Sequence, residues 1–280
     1  MSELEAAVEV AVGLGLRVED PVPLRSTNNI VAWLRPSMVV AKVGCGHHRR
    51  LADELQVALE LSLLGGPVVP PASEVPQIVH RQRGYEITFW RYYPQPSSVT
   101  ISSKQLAAAL RRLHEICRQI SPGMQARLPS FLEELGTVRA ALTDPARLIS
   151  LAESDRLLLL NTFDRLGAEL RATTESMLQR VIHGSPHSFN VLLAEGEPRF
   201  IDFETVCRGP VEWDLAHLDP EVERDYGEPL NDRLARACRG MASVKTATWC
   251  WAEINRGDLR AHAEFHLAQI RERFGMSTTQ

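Results

Sequence analysis

Residues 181–204 read VIHGSPHSFNVLLAEGEPRFIDFE, a short β-patterned interruption in a stretch of chain that is otherwise patterned for helix. Two apolar runs, Val191-Leu192-Leu193 and Arg199-Phe200-Ile201, flank the turn-forming Glu195-Gly196-Glu197-Pro198, which predicts a hairpin closing near Gly196. Asn190 stands just before the first strand, Asp202 just after the second, and the two are equidistant from Gly196. That register would set them opposite each other at about 5 Å between Cα atoms. An amide oxygen and a carboxylate placed there suit a hard cation such as Mg²⁺, which typically takes one or two protein carboxylates and completes its shell with phosphate and water. Without a ligand, the same residues would cap a turn and end a strand.

Working outward, the flanking chain divides into two patterns. Lys104–Ile120 carries Leu106, Leu110, Leu113 and Cys117 on one helical face, Ala146–Met177 is long and leucine-rich, and Asn231–Arg273 returns to helix. The first third reads instead as strands and one helix. Ile30–Leu34 and Met38–Val43 are β-branched runs around Arg35-Pro36-Ser37, and Gln77–His80 and Tyr85–Tyr92 are joined by a turn over Arg81–Gly84. Between them Leu51, Leu55, Leu59 and Leu63 form an apolar stripe on a helix over Arg50–Leu64, stopped by Gly65-Gly66-Pro67. Pro94–Ser98 is the expected connector. The order implies an α+β chain with a small β-rich lobe over residues 1–95 and a larger, mainly helical lobe over residues 96–280.

Composition narrows the function classes. The 280 residues carry 31 Lys+Arg against 35 Asp+Glu, a formal charge of −4, with 44% hydrophobic residues. An acidic balance argues against a nucleic-acid backbone as main partner, since that affinity comes from Lys and Arg meeting phosphates. The five scattered cysteines make no metal or redox spacing and read as reduced thiols. No apolar run approaches the ~18 residues of a membrane span, and Glu3, Glu5 and Glu9 stand where a secretory signal needs basic residues. The expectation is a cytoplasmic protein with no membrane or nucleic-acid partner.

The stretch His183-Gly184-Ser185-Pro186-His187-Ser188-Phe189-Asn190, followed by Ile201-Asp202-Phe203-Glu204 and Gly209-Pro210-Val211-Glu212-Trp213-Asp214-Leu215-Ala216, resembles the signature of the aminoglycoside phosphotransferase and choline kinase superfamily. That family has a protein-kinase-like, two-lobed fold. Its motif runs His-Gly-Asp, four variable residues, Asn, two strands, Asp-Phe-Glu or similar, then Gly-Pro and a downstream Asp-Leu-Ala. The resemblance implies an ATP- or GTP-dependent phosphotransferase acting on a hydroxyl of a small molecule. It makes Asn190 and Asp202 the Mg²⁺ ligands, His183 a buried organiser of the catalytic loop and Asp214 a structural anchor.

Kinases also supply a strand lysine to the nucleotide phosphates and a helix glutamate to hold it. Lys42, in Met38-Val39-Val40-Ala41-Lys42-Val43, fits that lysine in a chain with only two others, Lys104 and Lys245. An interior lysine there requires an anionic partner. Glu54 best matches the helix glutamate, with Glu60 as the fallback, and the linker around Trp90 and Tyr92 would meet the adenine. The loop Arg25–Asn29, which would cover the phosphates, contains no glycine, and Gly44-Cys45-Gly46 reads as a turn.

One departure bears on activity: Ser185 occupies the position of the family's catalytic aspartate, five residues before Asn190. The loss of a general base typically costs 10²- to 10⁴-fold. Three readings follow: Ser185 orients the acceptor in a slow kinase, His187 takes the proton, or the protein is a pseudokinase-like relative that binds nucleotide or a small ligand without transfer. The acidic run Asp219, Glu221, Glu223, Asp225 and Glu228 would favour a cationic acceptor such as an aminoglycoside or amino alcohol, or would simply be a solvated loop. Antibiotic resistance, primary metabolism and natural-product tailoring all fit these residues. His262 and His266 stand four apart without a third zinc ligand, and His47-His48-Arg49-Arg50 is a basic cluster at a helix start.

Overall fold

The computed structural model describes residues 2–26, 29–44, 51–95, 100–255 and 259–275. The chain divides into two compact units, one of Met1–Leu128, Ser185–Val206 and Glu221–Tyr226, the other of Pro129–Gly184, Cys207–Pro220 and Gly227–Gln280. The connector expected at Pro94–Ser98 lies partly outside the described residues, as do Cys45–Arg50 and two residues of the loop Arg25–Asn29.

The first unit opens with a helix the sequence reading missed, α1 (Glu3–Gly13), started by a capping box between Ser2 and Glu5. It packs Ala6, Ala7 and Ala11 against an antiparallel sheet of β1 (Val18–Ser26), β2 (Asn29–Pro36), β3 (Val39–Gly44), β4 (His80–Gln82) and β5 (Tyr85–Arg91), in the order β1-β2-β3-β5-β4. β1 was also missed, because Pro21 and Pro23 argue against a strand. Its place at the sheet edge explains how they are tolerated, since an edge residue need not donate to a ladder. The β2–β3 hairpin stands as read, with Val31 opposite Lys42. β4 begins three residues later than expected: Arg83 and Gly84 both have positive φ and form a two-residue turn, so pairing runs His80 to Ile87 and Gln82 to Tyr85.

Helix α2 (Leu51–Leu63) confirms the element but not the face. Strict four-residue spacing advances 400° for each step and drifts 40° from a 100°-per-residue helix. The buried set is accordingly Leu51, Glu54, Leu55, Val57, Ala58 and Leu61, while Leu63 is 85% exposed. Helices α3 (Ser103–Cys117) and α4 (Pro122–Arg127) follow in this unit, and α3 buries Leu106, Leu110, Leu113 and Cys117 as its periodicity requires.

The second unit is helical: α5 (Phe131–Glu134), α6 (Gly136–Thr143), α7 (Glu153–Thr174), α8 (Val211–Leu215), α10 (Asp232–Ala252) and α11 (Arg260–Phe274), with α9 (Pro220–Tyr226) lying across the boundary in sequence. The long helix expected from Ala146 to Met177 is broken, with a 3₁₀ turn at Pro145–Leu148 and a fresh start at Glu153. Asn231–Arg273 is likewise two helices. Leucines continue through the first break at Leu148, Leu151 and Leu157, so periodicity alone does not reveal it, whereas Asn255-Arg256-Gly257-Asp258 is a readable stop at the second. Phe131, Leu142, Leu159, Leu170, Trp213 and Met241 belong to one continuous core, each such side chain contributing roughly 1.5–3 kcal/mol when fully buried. Strands β6 (Arg180–Ile182) and β9 (Cys207–Gly209) pair in this unit. No helix among the described residues is long and apolar enough to cross a membrane.

Candidate active site

The hairpin of β7 (Val191–Ala194) and β8 (Glu197–Phe200) is present in the first unit with a register one residue from that expected. Glu195 (φ +56°) and Gly196 (φ +84°) together form the turn, so the hairpin closes between them and not on Gly196. Val191 therefore faces Phe200, and the Ile201 N–H donates to the Asn190 carbonyl at 3.0 Å. Asp202 falls one position beyond Asn190's partner. The pair does not meet as cross-strand neighbours.

A different device brings them together. Asp202 adopts a left-handed conformation (φ +66°, ψ +59°), which an aspartate tolerates better than most residues, and a 3₁₀ turn at Phe203–Thr205 follows. The hairpin is tied to Pro67–Val69: Phe200 N–H donates to the Pro67 carbonyl at 2.8 Å, and Val69 N–H to the Phe200 carbonyl at 3.0 Å. Asp202 Oδ1 then lies 2.7 Å from Lys42 Nζ.

Lys42, on β3, is 6% exposed, and Glu54, on α2, is 1% exposed. The Lys42 ammonium donates to both Glu54 oxygens, at 2.8 and 2.9 Å, and lies 3.1 Å from Glu204 Oε1. Three carboxylates thus surround one ammonium. Burial alone would lower the Lys42 pKa, but the charges of Glu54, Asp202 and Glu204 outweigh it and raise it. Burial pushes the Glu54 carboxyl up to about 7, against the pull of Lys42 and with Asp202 and Glu204 adding to the rise. Glu60, the fallback partner, instead caps the start of α4 through Ser121, accepting from its N–H and hydroxyl at 2.8 Å each.

Asn190 is oriented on every side. Its Nδ2 donates to the Ser185 carbonyl at 3.1 Å and faces His187 Nε2 at 3.2 Å, while its Oδ1 accepts from Arg25 Nη1 at 3.3 Å. Because the guanidinium only donates, the atom facing it must be the oxygen, which fixes the amide's orientation. His187 Nε2 therefore faces an N–H and must be the unprotonated ring nitrogen. The same Arg25 Nη1 lies 3.8 Å from Asp202 Oδ2. Asn190 and Asp202 thus converge on one positively charged atom, and a donor set that already shares a cation fits a hard metal ion.

Three members of this cluster were not read as site residues: Glu204, Arg25 and Asn29, whose Nδ2 donates to Glu204 Oε1. Among the described residues, oxygens of Glu54, Asp202 and Glu204 lie within 4.8 Å of one another. The signal for Glu204 was its spacing, since two residues beyond Asp202 across a tight turn returns to the same side.

Of the linker residues, Trp90 donates its indole N–H to Thr88 at 2.9 Å and borders a cluster of Val69, Tyr93, Ala194, Leu192 and Ile201. Tyr92 stacks on Trp33 at 4.1 Å between centroids, and its N–H donates to the Met38 carbonyl.

In the second unit, Asp214 is fully buried and its carboxylate accepts the N–H groups of His183 and Gly184, at 2.9 and 2.7 Å. Gly184 has φ +88°, a conformation glycine adopts without strain, and its carbonyl accepts the Trp213 indole N–H at 3.1 Å. The backbone immediately before Ser185 is clamped.

With this geometry established, the relatives are informative. The fold matches spectinomycin phosphotransferase solved with ADP and spectinomycin (16% identity, 97% of this chain and 94% of that one, TM-score 0.65). It also matches amicoumacin kinase solved with AMP-PNP and Ca²⁺ (14% identity, 95% and 92%, TM-score 0.68) and choline kinase from Streptococcus pneumoniae (17% identity, 96% and 100%, TM-score 0.65). A comparison with curated protein sequences yields no match. Residues 28–246 match the APH family described as the phosphotransferase enzyme family, and the chain, with its α+β kinase-like fold, belongs to it.

Proposed function

We propose that the protein is a small-molecule kinase that transfers the γ-phosphoryl group of ATP, or of GTP, to a hydroxyl of a small acceptor. The observation that carries this reading is the buried Lys42 held between Glu54 and Asp202 at 2.7–2.9 Å, since a lysine so fixed is aimed at phosphate. Lys42 contacts the α/β-phosphates and Glu54 orients it. The half-buried Trp90, Leu192 and Ile201 offer an apolar face to a planar base. A Mg²⁺ ion held by Asn190 and Asp202 would neutralise phosphate charge at that place. The residues 1–95 then serve the nucleotide and 96–280 the acceptor, with the acidic run near α9 favouring a cationic one.

Of the readings left open for the catalytic loop, a positioning task for His187 is the one its contacts favour. Its Nε2 lone pair accepts from Asn190, so it positions the amide whose oxygen faces the cation, and Ser185 is left to meet the acceptor hydroxyl. Phosphoryl transfer through a loose transition state depends chiefly on positioning and charge neutralisation, so a slow reaction survives without a base. The second reading, a nucleotide-binding protein that transfers nothing, is favoured by Ser185 itself.

The test is calorimetric titration of ATP with and without Mg²⁺, alongside Asp202→Ala. Mg²⁺-dependent binding lost in the variant supports the site. Absence of binding by a folded wild-type protein refutes it.

A further inference from the structure

Arg25, like Glu204 and Asn29, belongs to this cluster without a task in the proposed reaction, and of the three it carries the positive charge. It stands near the end of the edge strand β1, about a third exposed, and reaches into the site. Its Nη1 lies 3.3 Å from Asn190 Oδ1 and 3.8 Å from Asp202 Oδ2. Those are oxygens of the two residues expected to hold the metal ion; the Asn190 nitrogen is engaged by Ser185 and His187, and Asp202 Oδ1 by Lys42. The guanidinium therefore sits where the divalent cation would.

We infer that Arg25 is a resident counter-cation that occupies the metal position in the nucleotide-free protein and ties divalent-ion binding to the arrival of nucleotide. The inference rests on the phosphotransferase reading for the identity of the metal ligands. With Arg25 in place, the three carboxylates Glu54, Asp202 and Glu204 face two cations, Lys42 and Arg25, so at most one excess negative charge remains. A divalent ion arriving alone must displace a guanidinium from two oxygens and then sit beside it. An ion arriving with a nucleoside triphosphate brings phosphate oxygens that offer the displaced guanidinium bidentate partners. Arg25 is suited to such an exchange because its guanidinium offers forked donors to phosphate and reaches the site from the surface.

The test uses Mn²⁺ as probe, titrated without nucleotide into the wild-type protein, Arg25→Gln, Arg25→Lys and Asp202→Asn, with unbound Mn²⁺ read by electron paramagnetic resonance. Arg25→Gln is expected to bind Mn²⁺ at least tenfold more tightly than wild type, Arg25→Lys to stay within about threefold of it, and Asp202→Asn to lose the site. With ATP present, Arg25→Gln loses its advantage and binds ATP several-fold more weakly. Equal or weaker Mn²⁺ binding by a folded Arg25→Gln, while wild type retains Asp202-dependent binding of Mg²⁺ and ATP, overturns this inference and leaves the kinase reading standing. Failure of every variant to bind Mn²⁺ or Mg²⁺ with ATP overturns both.

Discussion

Removing the Lys42 ammonium while keeping its volume, as Lys42→Met, leaves carboxylate oxygens of Glu54, Asp202 and Glu204 within 4.8 Å of one another with their central cation gone. At an effective dielectric constant near 20, each such pair repels by roughly 3 kcal/mol. The cluster can relieve this by binding one proton more than wild type holds. Holding one at pH 7 on a group whose ordinary pKa is near 4.3 costs about 4 kcal/mol, so that is the expected destabilisation. A carboxyl whose folded-state pKa exceeds its unfolded value contributes stability at low pH and loses it as pH rises through the interval between the two. The difference between wild type and variant should therefore grow with pH, by about 1.4 kcal/mol per unit for each proton held. Glu54, pushed up to about 7, already gives wild type this slope for one proton, so the variant's additional proton sets the difference. Urea denaturation at pH 5, 6, 7 and 8 checks this: the deficit should be about 1 kcal/mol at pH 5 and about 4 kcal/mol at pH 7, at constant denaturant slope. Mg²⁺ should recover part of it. A deficit that stays flat or shrinks between pH 5 and pH 7 would refute the crowding of charges.

Two further outcomes are expected. Asp214→Ala leaves two buried N–H groups, of His183 and Gly184, without their acceptor and should lower stability by about 4 kcal/mol in the same denaturation assay, with Asp214→Asn intermediate; a loss under 1 kcal/mol contradicts the clamp. His187→Leu should weaken Mg²⁺-dependent ATP binding about tenfold while His187→Gln keeps most of it, and kcat at saturation should fall less than tenfold; a fall of 10²-fold or more in kcat alone would make His187 the base instead.

How much was legible follows from the physics of each element. Lys42 could be read because a lone lysine in an apolar strand demands a carboxylate; Glu54 came from the family resemblance, with Glu60 as fallback, and only the structure buries Glu54 against that lysine. Asn190 and Asp202 do approach one cation, but not by the route expected: the hairpin does not oppose them, because a turn with two positive-φ residues shifts the register by one. The same kind of turn displaced β4. The left-handed backbone at Asp202 restores the convergence, and nothing in a strand pattern announces it. Arg25 and Glu204 stayed hidden as site members because a charged residue in a loop looks the same whether it faces solvent or a cluster assembled from distant segments. The edge strand β1 was obscured by its prolines, and the break before α7 by leucine spacing that runs through it; the break between α10 and α11 was legible in Asn255-Arg256-Gly257-Asp258 and was passed over.

The most direct test of the central claim is a single-turnover assay of γ-phosphoryl release from radiolabelled ATP with Mg²⁺ and a panel of hydroxylated amines, comparing wild type, Ser185→Asp and Asp202→Ala. The account predicts slow acceptor-dependent transfer by wild type, a rise of about 10²-fold or more in Ser185→Asp as a general base is restored, and none in Asp202→Ala. Folded, ATP-binding wild type and Ser185→Asp proteins that both transfer nothing to any acceptor or to water would contradict it.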